Sequence, residues 1–474
     1  MSEPLLSLSE GLYLAEKFES PLPVKYELKE CGTLSFRFSR PLRLPVFGRC
    51  GPLSDVSFEI EQRDLLGVER QAAGDQASSA GAHAHARILY ADREKQLRRT
   101  PFFYGSGLDD LATHIESVCA PQRRKLLIIV NPKSGQGNSK QLVEREAVPI
   151  LRAAGADVEV ILTQRSKHAT DIVRQKSDLL SYDALLSAGG DGTFHEVLAG
   201  LLSRDDWREA RRLTLLQIPC GSGNALAASS GHRTVSRAAY AAVRGTRAPL
   251  DVATIIQPST GTRVFSFLSI TFGLIANLDI GTEHLRWMGA QRFVWGAIRE
   301  ILAQRTYRAD VSFLTAKDDN DGDEEDRMAS TSRYPELRAL GPLLDVNESV
   351  LPDGERRLDT SVWDHVDDGD GFQLFSMSNL PWLDMNFHLH PEAASGSYNF
   401  VYATGRNGVV KGFELMTAAE KGEHVEFSWV EQRQITAFAV RPVAEDSWLV
   451  VDGEAIDCSP IFGEVHRGLV HRFV

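Results

Sequence analysis

The sequence contains few cysteines, the residues on which disulfide-bonded proteins and many zinc-stabilised proteins depend. Only five of its 474 residues are cysteines, and no two of them form a Cys-x-x-Cys pair. An odd, dispersed set of cysteines argues against a disulfide framework and a zinc site, and it favours a reducing compartment. The start of the chain lacks a basic segment followed by an apolar core, and no apolar run reaches membrane-spanning length. We therefore expect neither a secretory signal nor a transmembrane helix.

Positive charge is also scarce. The chain carries 52 Lys and Arg residues against 64 Asp and Glu residues, which gives a formal net charge of −12. A general nucleic-acid-binding surface needs concentrated positive charge, so nucleic acid is not an expected partner. The hydrophobic fraction of 43% is ordinary for a globular protein, and the length allows two or three domains.

Residues 1–120 are predicted to form a separate, mostly β module. The segments "GTLSFRFSR", "DVSFEIEQ" and "ARILYAD" alternate apolar and polar residues, as strands do, and "GLDDLATHIESVCA" has a helical pattern. A few strands closed by a helix would suit a PH-like sandwich. His83 and His85 lie in a loop of small residues and are interpreted as loop residues rather than metal ligands, because no second ligand pair is near.

Residues 121–249 are predicted to form an α/β lobe. Apolar strands such as "KLLIIVNP" and "YDALLSAGG" alternate with helical segments such as "NSKQLVEREAVPIL". This alternation predicts a Rossmann-like lobe whose parallel sheet is covered by helices on both faces. Ligands of such sheets bind at the carboxyl ends of the strands.

Residues 250–474 are predicted to form a β-rich lobe. Many short segments of strand-like pattern follow Pro249, and a helical stretch from about Asp279 to Gln304 interrupts them. An acidic insertion at about 316–370 is predicted to be disordered. Its acids do not have the spacing of a calcium-binding loop.

Three glycine-rich turns follow three different strands of the α/β lobe. They are "NPKSGQGN", "AGGDGT" and "PCGSGNALA". Glycine lets a ligand approach the backbone closely, and backbone N–H groups at a helix start can cradle an anion. One such turn could be a turn and nothing more, whereas three turns at one edge of a sheet favour phosphate binding. No Lys-Ser/Thr pair follows the glycines, so none of the turns is a Walker A motif.

The predicted nucleotide-binding residues are those of the three turns and one residue on the helix that follows the second. The set is Asn131, Pro132, Lys133, Ser134, Gly135, Gly137, Gly189, Gly190, Gly192, Thr193, Glu196, Gly221, Ser222, Gly223 and Asn224. Lys133 fits an exposed turn lysine equally well, and Ser222 is a helix N-cap, a phosphate contact or both. His195 is interpreted as structural, because the sequence indicates no carboxylate partner for it.

Asp191 is the candidate catalytic residue. The alternative is that it caps the helix that follows it, which suits any aspartate in front of a helix. That alternative does not explain the glycines on both sides. A kinase must position its acceptor hydroxyl and remove the proton, so we interpret Asp191 as the base or orienting group.

Together, "IVNPKSGQG", "GGDGTFHEVLAGL" and "IPCGSGNALA" resemble the diacylglycerol kinase catalytic superfamily, and "GSGNALA" is most similar to the sphingosine (sphingoid long-chain base) kinases. The resemblance covers about residues 124–315 and resumes from about 371 to the end. It implies that the first lobe binds ATP with Mg²⁺ and that the second, a β-sandwich, holds a sphingoid base at a peripheral membrane contact in the cytoplasm. Diacylglycerol or ceramide kinase and a non-catalytic lipid-binding adaptor are the alternatives.

The resemblance also implies roles for residues of the second lobe. The segment "FGLIANLDIGTEHLRWMGAQRFVWG" is similar to the family's lipid-pocket motif, and "VVDGEAI" matches its Asp-Gly-Glu motif. At "ASGSYNF" the chain departs from the Asp-Gly-x-x-Asp segment of many relatives, so no metal ligand is assigned. Arg286 and Arg292 could instead be solvated helix residues, and Asp279 could cap a helix that begins at Ile280. The resemblance implies that ATP is contacted by Arg286, Arg292, Gly453 and Glu454, and that the lipid head group is bound by Asp279. It also implies a lipid pocket lined by Ser269, Leu274 and Phe293. For Phe293, packing in the protein core is the alternative.

Overall fold

Two units make up the chain in the computed structural model. The first comprises residues 1–126, 141–159 and 234–245, and the second comprises residues 127–140, 160–233 and 246–474. The predicted division at 249/250 falls inside the second unit. The residues that the structure describes are 6–8, 13–14, 22–28, 33–38, 57–71, 85–100, 103–104, 108–119, 124–282, 285, 291–316, 363–367, 369–443 and 447–474.

Strands and helices are numbered in chain order. Strands β1–β24 are Leu6–Leu8, Tyr13–Leu14, Leu22–Leu28, Thr33–Phe38, Ser57–Glu61, Leu65–Gln71, His85–Ala91, Leu97–Arg99, Phe103–Tyr104, Lys125–Val130, Asp157–Leu162, Ala184–Gly189, Thr214–Pro219, Arg247–Gln257, Thr262–Ser266, Ser269–Phe272, Ala309–Thr315, Asp364–Val366, Phe372–Ser378, Tyr398–Thr404, Glu431–Pro442, Leu449–Val451, Glu454–Ile456 and Ile461–Phe473. Helices α1–α11 are Leu108–Cys119, Ser139–Leu142, Val148–Ala153, His168–Gln175, Asp191–Leu202, Trp207–Ala210, Ala225–Ser229, Val235–Arg244, Leu274–Asp279, Gln291–Ala303 and Val409–Ala419.

The first unit contains an antiparallel sheet in the order β5-β4-β3-β2-β9-β7-β6. Leu34 and Phe36 are fully buried, as their alternation predicts, and they share a core cluster with Leu108, Leu111 and Ile115 of α1. The N-terminal region is therefore mostly β, as predicted. His83 lies outside the described residues.

Two helices that the sequence assigns to the α/β lobe belong to the first unit. The hydroxyl of Tyr240 on α8 donates to the carboxylate of Asp64 over 2.9 Å, and Lys95 forms a 2.7 Å ion pair with the same carboxylate. Gly67 lies against the carbonyl of Ala153 at the end of α3, where there is no room for a side chain. The N-terminal region is thus joined to α8 by polar contacts and packs closely against the end of α3.

The second unit is built on one sheet in the order β11-β10-β12-β13-β24-β21-β20-β19-β16-β22-β23. Strands β12 and β13 are parallel, and the last strand, β24, runs parallel to β13. On its way β24 also pairs antiparallel with β14 and β21. A single long strand therefore links the α/β region to the strand-rich region, which confirms the predicted fold class.

Two predicted elements of the second unit differ from the structure. Within the helical stretch expected from Asp279 to Gln304, helix α10 covers Gln291–Ala303, whereas α9 ends at Asp279, where the stretch was expected to begin. Residues 283–284 and 286–290 lie outside the described residues. The end of the expected insertion belongs to the sheet, because Val366 of β18 pairs with Val311 of β17 and Trp363 is buried. Residues 317–362 lie outside the described residues, so their disorder stays a prediction.

Candidate functional site

The three glycine turns meet at the carboxyl ends of β10, β12 and β13. A Cβ atom on Gly221 would overlap the backbone of Gly190, and one on Gly190 would lie 2.9 Å from the carbonyl oxygen of Gly223. A Cβ atom on Gly135 would lie 2.5 Å from the carbonyl oxygen of Cys220. These turns approach one another so closely that only glycine fits at the contacts.

The first turn is tied to the second by side chains. Asn131 donates to the hydroxyl of Thr193 over 3.3 Å and accepts a hydrogen bond from the backbone N–H of Lys133 over 3.1 Å. Gly137 adopts a φ of 77°, and a Cβ atom placed on it would meet nothing within 4 Å. Lys133 is exposed. The space beside Gly137 is therefore open, and the hydroxyl of Ser134 lies beside Gly189 of the second turn.

Asp191 is buried, and its carboxylate is fully embedded in polar contacts. It accepts hydrogen bonds from the backbone N–H groups of Ala225 over 2.9 Å and Leu226 over 3.3 Å, and from the Gln217 side chain over 3.1 Å. Burial and, to a smaller extent, the neighbouring charge of Asp384 raise the pKa of Asp191 to about 7, although the hydrogen bonds to its carboxylate lower it. The carboxylate therefore caps α7 rather than its own helix, α5, which begins at Asp191.

The start of α7 is occupied by side chains of the protein. The N–H of Asn224 lies 3.4 Å from Asp384, the next two N–H groups bond Asp191, and that of Ala227 donates to Gln217 over 2.8 Å. Asn224 itself is the N-cap residue, and its side chain closes the turn on Gly221. Ser222 is consequently not the N-cap of α7.

Asp384 is a site residue that the sequence analysis missed. Burial raises the pKa of the Asp384 carboxyl, and the positive charges of Arg292 and Arg233 lower it by less. Arg233 bonds the carbonyl of Met385 and lies over the ring of Trp382 at 4.2 Å. The only signal in the sequence is an isolated acid in the apolar stretch "LPWLDMNF".

The Asp-Gly-Glu turn between β22 and β23 reaches the second glycine turn. A Cβ atom on Gly192 would lie 3.4 Å from a carboxylate oxygen of Glu454, and one on Gly453 would lie 3.4 Å from a carboxylate oxygen of Asp279. The structure therefore brings Gly453, Glu454 and Asp279 close to the glycine turns, although they lie far away in the sequence.

His195 has a carboxylate partner, contrary to the interpretation from the sequence. Its Nδ1 atom lies 3.0 Å from Oδ2 of Asp452, the first residue of the Asp-Gly-Glu turn. Burial lowers the pKa of His195, but the hydrogen bond to Asp452 and the charges of Asp452, Glu454 and Glu196 outweigh it, so the net pKa is raised. The sequence could not indicate this partner, because 257 positions separate the two residues.

Asp279 ends α9, so it does not cap a helix that begins at Ile280, and that alternative is wrong. Its side chain is 36% exposed and lies 3.6 Å from the guanidinium of Arg292, which is 7% exposed. Leu274, at the other end of α9, is buried in an apolar cluster, and the N–H of Ser269 donates to Asp452 over 2.9 Å. Arg286 and the side chain of Phe293 lie outside the described part of the chain.

Glu196, which was predicted to bind the nucleotide, faces the start of α4. Its two carboxylate oxygens accept hydrogen bonds from the backbone N–H groups of Lys167 over 2.9 Å and Ala169 over 3.1 Å, at the start of α4. These contacts make Glu196 the cap of α4. They give no support to its predicted contact with the nucleotide.

The described residues contain no group of three or more His, Cys, Asp or Glu side chains arranged to hold a metal ion. In the same part of the chain, the helices are either too short or too polar to cross a membrane.

Comparison with known proteins identifies relatives over most of the chain. Residues 125–255 match the diacylglycerol kinase catalytic domain. Sphingosine kinase 1 of Homo sapiens is 30% identical over 369 residues, which are 73% of this chain and 90% of that protein. Sphingoid long chain base kinase 4 of Schizosaccharomyces pombe is 28% identical over 344 residues, which are 71% and 72% of the two chains. A crystal structure of a Bacillus anthracis protein, provisionally named a diacylglycerol kinase, has the same fold at 17% identity, with a TM-score of 0.52 over 74% of this chain and 95% of that one.

Proposed function

Because this chain belongs to the sphingosine kinase family and contains a diacylglycerol kinase catalytic domain, we propose that it transfers the γ-phosphate of ATP to the primary hydroxyl of a sphingoid base to form the 1-phosphate. The observation that carries the proposal is the meeting of three glycine turns beside buried Asp191, with Asp279 next to the Asp-Gly-Glu turn. This arrangement supports a single site that combines phosphate binding, a base and an acid for the lipid head group.

The glycine turns support the binding of ATP phosphates. Gly137 is open, and the contacts of Gly190 and Gly221 keep side chains out of the space above them. Buried Arg292 supplies positive charge on the side of Asp279. Removing water around such donors strengthens their attraction for phosphate.

Asp191 has capacity left for the acceptor hydroxyl. An ionised carboxylate offers about four acceptor positions, and three donors from Ala225, Leu226 and Gln217 use three of them. With its pKa raised to about 7, the group is partly ionised near neutral pH. We propose that Asp191 orients the lipid hydroxyl and accepts its proton.

Mg²⁺ is proposed to enter with ATP. Because the described residues offer no group of three ligand side chains, the phosphate oxygens and water would supply most of its ligands. When bound, the ion neutralises charge on the transferring phosphoryl group.

Asp279 is proposed to select the sphingoid base. A sphingoid base has an ammonium group beside its hydroxyl, which diacylglycerol and ceramide lack. The half-exposed carboxylate of Asp279 can form a charge-assisted hydrogen bond with that ammonium. Its pairing with Arg292 keeps the carboxylate at the site in the absence of lipid.

A peripheral contact with cytoplasmic membranes is part of the proposal. A lipid kinase must take its substrate from a bilayer, and contiguous exposed apolar side chains commonly form such a contact. The exposed apolar side chains of two packed helices, α10 and α11, support it: Val294, Trp295, Leu302, Val410 and Phe413.

The test is a kinase assay with labelled ATP against sphingosine, ceramide and diacylglycerol, comparing the wild type with Asp279→Asn. We expect the wild type to prefer sphingosine, and the variant to lose about tenfold to a hundredfold in kcat/KM for sphingosine, the range of one hydrogen bond to a charged group. The KM for ATP should stay unchanged. Asp310→Asn, which removes an exposed acid paired with Arg441, is the matched control. Preference of the wild type for diacylglycerol or ceramide would overturn the assignment.

A further inference from the structure

Asp452 is a buried carboxylate that accepts hydrogen bonds from several donors of the strand-rich region. Its side chain is 0% exposed. The hydroxyl of Ser266 and the backbone N–H groups of Phe267, Leu268 and Ser269 donate to it over 2.7–3.0 Å. The residue has a φ of 50°, a conformation that few non-glycine residues adopt. These four donors fix the position of Asp452 and therefore of the Asp-Gly-Glu turn that it begins.

His195 is the remaining partner of this carboxylate, at 3.0 Å. It lies on α5, one helical turn after Asp191. A buried carboxylate bonded to neutral donors keeps its full charge, and an imidazolium beside it compensates that charge. The charged groups that face His195 are Asp452, Glu454 and Glu196, all of them acidic. They stabilise the imidazolium form.

The turn held in this way presents two other residues to the site. Glu454 lies beside Gly192 in the second glycine turn, and Gly453 lies beside Asp279. We propose that His195 is a positioning residue: by pairing with Asp452 it holds the Asp-Gly-Glu turn against α5, and so sets Glu454 and Asp279 at a fixed distance from Asp191. The roles of Glu454 and Asp279 rest on the proposed function, whereas the pairing of His195 with Asp452 does not.

A pH dependence follows from the pair. The folded-state pKa of His195 is raised above its unfolded value, so the ion pair is complete below about pH 6.5 and is lost as the pH rises through the folded pKa. Loss of the positive charge leaves Asp452 with neutral donors and loosens the turn. Turnover is therefore expected to fall on the alkaline side through the folded pKa of His195, while the rise on the acid side belongs to other groups.

The first test compares His195→Gln and His195→Phe with the control His168→Gln. Gln keeps a hydrogen-bond donor without charge, and Phe keeps the volume without a donor. The control residue His168 accepts a hydrogen bond from the N–H of Gln164 at the start of α4. We expect faster hydrogen exchange at Phe267, Leu268 and Ser269 in both His195 variants, with the larger effect in His195→Phe, and no change in the control. Unchanged exchange in His195→Phe would overturn the proposal. This readout needs no substrate, so it stands even if the wild type phosphorylates no sphingoid base.

The second test separates positioning from a merely structural role. In His195→Gln we expect kcat/KM for sphingosine to fall by about tenfold to a hundredfold, the effect of one hydrogen bond to a charged group. The alkaline limb of the pH profile should flatten. Combined with Glu454→Gln, the loss should be less than the product of the two single losses, because both changes act through one turn. Multiplicative losses, or an unchanged alkaline limb, would contradict the role of His195 in positioning the turn.

Discussion

At the scale of single residues, the carboxylate of Asp191 combines two tasks. It holds the start of α7 through two backbone N–H groups, and one of its oxygens lies 3.2 Å from the position that a Cβ atom on Gly223 would take in the third glycine turn. The proposed base therefore cannot move without moving the third glycine turn, because its carboxylate also caps α7. The pKa of about 7 indicates how far burial disfavours its charge.

Asp191→Asn should lower kcat by about 10²–10⁴-fold, the usual effect of removing a positioned acid–base group. In the wild type, kcat should rise with pH through about 7 as Asp191 ionises, and the variant should lack this rise. Steady-state kinetics from pH 5.5 to 8.5 measure both. A folded variant with near-normal turnover would remove Asp191 from the mechanism.

The same group predicts an unusual pH dependence of stability. Its folded-state pKa lies above its unfolded value, so the folded state binds more protons, and the free energy of unfolding falls as pH rises from about 4 to about 7. Other ionisable groups also change charge in this range, so the comparison with Asp191→Asn isolates the contribution. Thermal melts should show the wild type losing more of its Tm than the variant over that interval.

At the scale of elements, the glycine turns act as interlocking backbone segments. Gly221 touches the backbone of Gly190, so each turn limits the position of the other. The N–H groups at the start of α7 donate hydrogen bonds to the carboxylates of Asp191 and Asp384. The start of this helix therefore binds two side chains of the protein.

Gly221→Ala should weaken ATP binding by about tenfold or more, because overpacking two backbone segments commonly costs about 1–3 kcal/mol. Calorimetry with ATP measures the change. Gly231→Ala is the matched control: Gly231 follows α7 with a φ of 78° and open space around its Cβ position. We expect the control to lose some stability and to keep its ATP affinity. Equal affinity in both variants would show that the turns need not meet in order to bind ATP.

At the scale of the whole molecule, the N-terminal module is part of a unit that includes α8 and most of the helical segment before β11. The contacts of Tyr240 with Asp64, of Arg237 with Glu94 and of Gly67 with Ala153 join them. The module is thus bound to helices of the α/β region and not to a linker alone.

Deletion of residues 1–120 should therefore lower the Tm of the remaining chain and increase its aggregation, because it exposes the surfaces of α3 and α8. Tyr240→Phe, which removes a single hydrogen bond to a charged group, should cost about 1–3 kcal/mol in the free energy of unfolding. Melting curves and light scattering measure these effects. A shortened chain with the Tm of the full chain would show that the module is an independent domain.

The sequence determined the α/β alternation, the three glycine turns and the position of Asp191, because hydrophobic periodicity and glycine spacing are local signals. Helix α9 escaped it, since the sequence was interpreted as beginning a helical stretch at Asp279, where α9 in fact ends. Strand β24 was missed because "FGEVHRGLVHRF" places Glu464, His466 and Arg472 within a strand. Glu464 is buried there, and Gly468 adopts a φ of 58°.

Only the tertiary structure decided which groups meet. His195 pairs with Asp452, which is 257 positions away in the sequence, and Asp384 contacts Asn224 across 160 positions. Glu196 accepts its hydrogen bonds from the start of α4 and not from the glycine turns. These contacts depend on the crossovers of the sheet and on the return of the chain's last strand between β13 and β21. A local sequence pattern indicates whether a residue is buried or polar, but not which residue it contacts. The partner of a buried charge is set by long-range packing, which must satisfy that charge wherever the fold places it.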